Sequence, residues 1–372
     1  MKRFNFPKGT LNPTQMEKLI DAGQIHVPDK KQIAPSSLDL TTSDEIYRIS
    51  SVFLPMRGIP IDEVRKASIL NAVKHDINTP LERGVTYLIR LNETLNLQDD
   101  IFAVASPKSS IGRLDLHVRI LSDGHPRYDS APKGYRGGLW VIVVPKSFPT
   151  IIGENTSIIQ FRFVSKAINS VDTDEKLMTL LDSRDILYSR TGKNLLTSEH
   201  IHINDKNDGN LIFTIDLTQD VAGWKAKHST PVLDMRKGKS SHNVEDFFEP
   251  IQPAKSILCQ KDSFYLLTTR QRLKLGADLS TEFLPVDHLS GEFRTHYAGF
   301  VDPGWGTEGR SVGRQITLEL RPFEDIILTD NQAIVKMRFE FLSKPVELTY
   351  DELPTSNYKD QHGPRLGKYF KT

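Results

Sequence analysis

The sequence predicts an all-β protein with a few short helices, built from two copies of one β domain. Short strand-like runs recur in both halves of the chain. They are VTYLIRL, IFAVASP, LWVIVVP and TSIIQFRFV in the first half, then LIFTIDL, SFYLLTT, ITLELRP, IILTDN and AIVKMRFEFL in the second. Asn, Asp, Gly and Pro separate them, which indicates a barrel or jelly roll rather than βαβ units. The second half also echoes the first. Tyr87-Leu88, Leu95, Leu97, Asp100 and Pro107 have counterparts at one constant spacing in Tyr265-Leu266, Leu273, Leu275, Asp278 and Pro285. FRFVS at 161–165 likewise faces FEFLS at 339–343, and Leu38-Asp39-Leu40 faces Ile215-Asp216-Leu217. The division that follows is a first repeat over 1–170, a helical and loop connection over 171–205, and a second repeat over 206–372.

In chain order, Asn12-Pro13-Thr14 with Met16, Leu19, Ile20 and then Gly23 predicts a capped helix. Asn is the N-cap, Pro the first helical residue, and Gly the stop. A charged stretch from Ile61 to Val73 has helical character, and DEKLMTLLDS at 174–183 has helical spacing. The stretch His296 to Glu319 begins apolar, turns at Asp302-Pro303-Gly304, crosses a glycine-rich loop and enters a strand at Ile316. Its chemistry predicts a hairpin-like excursion. Strand alternation puts Glu319 on the face of Thr317, opposite Leu318, and a carboxylate among inward-facing neighbours costs free energy unless it is used.

Composition narrows the function. With 372 residues, 38% hydrophobic and 26% charged, the chain reads as a soluble globular protein able to bury two cores. Lys plus Arg total 48 against 47 acidic residues, a net charge of +1, so no bulk field recruits nucleic acid or an anionic membrane. An anionic ligand must be met by a local cluster. The N-terminus has no apolar core of a signal peptide and no run reaches a membrane span, so a cytoplasmic location is expected. The lone Cys259 forms no intrachain disulfide. It also cannot supply the PCxxC pair of a zinc nucleobase deaminase, so no zinc is expected. Cys259 reads as a packing residue, and Phe264, Tyr265, Phe339 and Phe341 as core. His200 and His202 would share a strand face but have no obvious third ligand.

The two repeats differ where chemistry is concentrated. Repeat 1 has Pro107-Lys-Ser-Ser-Ile-Gly-Arg113 where repeat 2 has Pro285-Val-Asp-His-Leu-Ser-Gly291. The first of these gathers two cations, two hydroxyls and backbone donors, the composition of a phosphate cradle. It is not a Walker loop, because no GxxxxGK[ST] occurs and Gly192-Lys193 lacks the upstream glycine. Conversely, Glu319 precedes Pro322 in repeat 2 where Ile142 precedes Pro145 in repeat 1.

Together the N-terminal helix with PSSLDL, the SSIGRL segment, the A-G-F-V-D-P-G-W turn, the T-L-E strand and the tail Asn357-Tyr358-Lys359-Asp360-Gln361-His362-Gly363 resemble the deoxycytidine triphosphate deaminases of the dUTPase-like superfamily. The resemblance is to their long, two-repeat form and covers nearly the whole chain. It implies two tandem dUTPase-like barrels, of the β-clip or distorted jelly-roll type. It implies dCTP as substrate, deamination to dUTP and ammonia without zinc, and Mg2+ carried with the triphosphate. Glu319 matches the general base, and Ser109 and Arg113 complete the catalytic group. Lys108, Ser109, Ser110, Ile111 and Gly112 match the triphosphate segment. Asp302 matches the deoxyribose contact, Thr317 and Leu318 lie beside the base, and the Ala298 backbone helps place water. Tyr350 and Gln361 match tail contacts. Asn357 departs from the lysine frequent in single-repeat relatives, and the Gly306 to Arg314 loop is longer than usual. Pooling the two half-sets predicts one complete site where a repeat 1 face meets a repeat 2 face. Single-repeat relatives build such sites in trimers, which leaves a homo-oligomer open. Alternatives are a bifunctional enzyme carrying dCTP through dUTP to dUMP, a dUTP pyrophosphatase, and a regulator that binds dCTP or dTTP without turnover; dTTP could also act as an inhibitor.

Overall fold

The computed structural model describes residues 2–193, 196–201, 206–286, 293–295, 299–308 and 312–371. Two compact units emerge. The first comprises Met1–Ile168, His228–Phe247 and Gly367–Thr372, and the second Asn169–Lys227 and Phe248–Leu366. The all-β expectation holds, but the units are not two uninterrupted halves, because two later segments belong with the first.

In the first unit an antiparallel sheet runs in the spatial order Leu116–Ser122, Arg136–Pro145, Thr86–Asn96, Leu38–Ile49, Ser157–Ser165, Ile101–Pro107 and Ser130–Ala131. Inward side chains including Leu88, Trp140, Ile142 and Val144 are buried together. The register slips between Arg90 and Thr94 where Thr86–Asn96 meets Arg136–Pro145. Glu93 lies in the slipped stretch, fully buried. It accepts from the Thr41 amide at 3.0 Å, the Thr41 hydroxyl at 2.7 Å and the Gln32 side chain at 2.7 Å. Burial pushes its carboxyl above the usual range, partly opposed by these donors.

The predicted N-terminal helix forms over Pro13–Asp21. Asn12 Oδ1 accepts from the Gln15 amide and Gln15 Oε1 accepts from the Asn12 amide, each at 3.0 Å. Gly23 follows at φ +68°, which suits its role as the stop. The stretch from Ile61 to Val73 is less regular than expected. Only Ile61–Lys66 is α-helical, Ser68–Leu70 is a single 3-10 turn, and Val73–Lys74 pairs as a short strand.

The second unit has a four-stranded sheet, Asn210–Thr214, Ala333–Phe341, Leu279–Leu284 and Phe300–Val301, and a five-stranded sheet, Phe248–Ile251, Gly223–Ala226, Tyr265–Thr268, Thr317–Pro322 and Phe293–Thr295. Its helix Asp174–Ser183 buries Leu177, Leu180 and Leu181 in the core with Phe213, Leu267, Leu318 and Phe339. This leucine face makes the helix a core element of the unit rather than a loose connection.

The two units repeat in detail. Tyr87 Oη accepts from the Glu82 amide at 3.0 Å, and Tyr265 Oη from the Gln260 amide at 2.8 Å, each five residues earlier. Leu116 pairs with Pro145 as Phe293 pairs with Pro322. Leu88 faces Ile142 as Leu266 faces Glu319. Equivalent register positions thus carry an apolar side chain in one unit and a carboxylate in the other.

Candidate active site

The Ser-Arg set of the first unit sits where the strand Ile101–Pro107 ends. Pro107 closes the strand, Lys108 stays extended, and Ser109–Gly112 makes one helical turn. The amides of Ile111 and Gly112 donate to Lys108 O at 2.8 and 3.0 Å, and that of Arg113 to Ser109 O at 3.2 Å. Those three amides therefore build the turn, which narrows the expected backbone cradle towards the side chains and the first residues. Asp115 reverses the chain at φ +54° and accepts from the Ser147 hydroxyl at 2.6 Å before the strand Leu116–Ser122 begins. Ser110, Ile111, Gly112 and Arg113 are buried, whereas Lys108 and Ser109 are half-buried. Lys108 forms an ion pair with Asp39.

The second unit carries the carboxylate. Along Thr317–Pro322 the side chains of Leu318 and Leu320 enter the hydrophobic core, which puts Thr317, Glu319 and Arg321 on the other face. Glu319 is only 2% exposed. Because Leu318 faces the core, its backbone is the part available to a ligand on the Glu319 face.

The Asp302 turn does not form the expected hairpin. Phe300–Val301 pairs with Leu279–Leu284, whereas Thr317–Pro322 pairs with Tyr265–Thr268, so the chain changes sheets between them. The turn is tightly specified. Gly304 has φ +82°, and a Cβ there would lie 2.1 Å from Thr349 Cβ. Pro303 O accepts from the Tyr350 amide at 2.8 Å, and the Tyr350 ring lies 5.4 Å from that of Trp305. Asp302 and Tyr350 are half-buried at this turn.

Sequence reasoning missed what holds this wall. Arg314 Nη1 and Nη2 donate to the two oxygens of Asp351 at 2.7 and 2.8 Å, with side chains 5% and 0% exposed. The same guanidinium lies 5.0 Å from the Trp305 ring centroid. Each residue alone looks like an ordinary charged loop residue; the one signal in the chain is that Asp351 directly follows Tyr350. A second unforeseen group is Asp216, which accepts from Arg190 Nε at 2.8 Å, Gln219 Nε2 at 2.7 Å and Thr218 Oγ1 at 2.7 Å. Burial opposes its charge, but these donors outweigh burial and hold its pKa below the usual value.

The tail passes along the carboxylate strand in the second unit. Arg365 N donates to Thr317 Oγ1 at 3.0 Å, Trp224 Nε1 to Pro364 O at 2.9 Å, and Gln361 Nε2 to Gln315 O at 2.8 Å. Gln361 is buried in doing so. Ala298 and His202 lie outside the described residues. No cluster of three or more His, Cys, Asp or Glu suited to a metal occurs among the described residues. Cys259 is buried in the second core, and burial pushes its thiol up to about 12, as expected of a packing residue. No described helix is long and apolar enough to cross a membrane.

Two such β units, one bearing the Lys108–Arg113 turn and the other a buried Glu319, define a protein of the dUTPase-like class. Residues 7–167 match the family profile of the 2'-deoxycytidine 5'-triphosphate deaminase N-terminal domain, and residues 182–370 that of the C-terminal domain. The chain belongs to the 2'-deoxycytidine 5'-triphosphate deaminase family, a family of enzymes. It is similar to the crystal structure of 2'-deoxycytidine 5'-triphosphate deaminase from Agrobacterium tumefaciens, with TM-score 0.82 and 29% identity, covering 92% of this chain and 97% of that one. It is also 28% identical over 115 residues to a "dCTP deaminase, dUMP-forming" of Methanosphaera stadtmanae, a match spanning 30% of this chain and 58% of that relative.

Proposed function

We propose that this enzyme hydrolyses the exocyclic amine of dCTP, giving dUTP and ammonia, with Glu319 as the base. The observation that carries the reading is the placement of Glu319, buried on a strand face at the register position where the first unit has Ile142. A buried carboxylate in a family of deaminases has a use: it takes a proton from water as the oxygen attacks C4 and passes it to N3. It then takes the proton of the new C4 hydroxyl and delivers it to the amine as the C4–N bond breaks and the C4 carbonyl forms. One water is consumed and one ammonia released, so the balance needs no redox partner. Ser109 and Arg113 orient the water and support the developing charge. Lys108, Ser110, Ile111 and Gly112 receive the triphosphate, which arrives as its Mg2+ complex. Asp302 holds the deoxyribose, Thr317 and the Leu318 backbone flank the base, and the Ala298 backbone helps place the water. Tyr350 and Gln361 secure the nucleotide from the tail. Zinc has no part in the scheme, since a single cysteine cannot supply the thiolate pair of the zinc deaminases.

The dUMP-forming relative favours a second reading, in which dUTP is further cleaved to dUMP and pyrophosphate. Incubating the purified protein with Mg2+ and dCTP separates them. Ammonia with dUTP supports deamination alone, ammonia with dUMP and pyrophosphate supports the bifunctional reading, and bound dCTP with no product overturns both.

A further inference from the structure

The last residues of the chain are built into the first unit, against the Ser109 turn. Ser240 N donates to Lys368 O at 2.9 Å, and Ser241 N and His242 N donate to Tyr369 O at 2.9 and 3.0 Å. Lys371 N returns a bond to His242 O at 2.9 Å. Phe370 is buried, 5.4 Å from the Phe247 ring. These contacts press the Gly367 backbone onto the turn: a Cβ there would lie 3.5 Å from Ser110 O, 3.7 Å from Arg113 Cβ and 3.4 Å from Leu114 Cδ2. The next residue, Lys368, is half-buried, and its neighbours in charge include Lys108, Lys239 and Asp39. Asp39 is itself paired with Lys108.

Lys108, Lys239 and Lys368 thus gather beside the turn in a chain whose overall charge is close to neutral. An anion arriving at the turn is attracted by these ammonium groups. We propose that Lys368 is a further binding residue for the polyphosphate of the nucleotide, brought to the Lys108–Arg113 turn by the anchored C-terminal segment. The inference rests on the reading of that turn as the triphosphate site and deepens it. Burial, reinforced by Lys108 and Lys239 and opposed by Asp39, brings the Lys368 ammonium down to about 8. It is therefore charged at neutral pH and loses its charge on the alkaline side. The competing structural role is a packing one, since Lys368 Nζ lies 5.2 Å from the Tyr369 ring centroid.

The test compares the full-length parent with Lys368→Gln and Lys368→Arg. For Lys368→Gln, KM for Mg-dCTP should rise about tenfold, the order expected for one charge-assisted contact, with kcat little changed. Inhibition by inorganic triphosphate should weaken in parallel, and inhibition by deoxycytidine should not. In the parent, kcat/KM should fall above pH 8 as Lys368 deprotonates, and Lys368→Arg should carry activity to higher pH. Unchanged KM and triphosphate inhibition in Lys368→Gln would overturn the proposal. Should that variant fail to fold, an alkaline limb in Lys368→Arg identical to the parent's would overturn it instead. If the parent releases no ammonia, the functional reading fails separately; calorimetric titration of inorganic triphosphate into parent and variants then decides the role of Lys368.

Discussion

Replacing Arg314 by Met is the perturbation whose cost the structure specifies best. The guanidinium makes two charge-assisted bonds to Asp351, at 2.7 and 2.8 Å, and a third to Glu308 O at 2.9 Å. Asp351 Oδ2 also accepts from the Glu308 amide at 2.9 Å. One pair therefore ties both ends of a glycine-rich loop to the residue after Tyr350. With Arg314 5% and Asp351 0% exposed, truncation strands a carboxylate away from water, at a cost of about 3–5 kcal/mol. Removing both charges in Arg314→Met/Asp351→Leu should recover at least half of that, because no buried charge is left uncompensated. Equilibrium urea unfolding followed by tryptophan fluorescence measures the difference, with Trp305 beside the pair as reporter. An Arg314→Met variant within about 1 kcal/mol of the parent, or a double variant no more stable than the single one, would refute the reasoning.

Three other outcomes follow from the same geometry. Gly304→Ala should destabilise by at least about 2 kcal/mol, from the left-handed backbone together with the displacement of Thr349, and urea unfolding would show it. Cys259, raised to about 12 by burial, should resist iodoacetamide at pH 8 in the folded protein and react once guanidinium unfolds it, as mass spectrometry would record. Asp216 has a folded pKa below its unfolded value, so its contribution is complete above the unfolded pKa and is lost as pH falls through the folded one. Thermal melts of Asp216→Asn should therefore show a lower Tm at pH 7 and a shallower decline below about pH 4 than the parent.

Local patterns in the chain foretold what local forces decide. The Asn12 cap and the helix 174–183 follow from side-chain type and spacing, and both form where expected. The in-register repeat was legible because both copies keep the same constraints, down to a tyrosine hydroxyl accepting from the amide five residues earlier. Less was readable where distant segments meet. Arg314 and Asp351 pair across a stretch of chain with no periodicity. The segments His228–Phe247 and Gly367–Thr372 join the first unit through backbone contacts that no composition signals. The excursion after Val301 looked like a hairpin because turn residues specify a reversal but not the partner sheet of the strand that follows. In the candidate site, Glu319 stood out as a carboxylate in an apolar strand, whereas the Lys368 environment arises only once the tail is anchored.

The assignment of Glu319 as the base is tested most directly by measuring ammonia release from dCTP by the parent and by Glu319→Gln, alongside calorimetric binding of dCTP to both. The parent should release one ammonia per dCTP consumed. The variant should bind dCTP with affinity close to the parent's and release ammonia at least about a thousandfold more slowly, within the range that removing a general base costs. Release at the parental rate by Glu319→Gln would contradict the account.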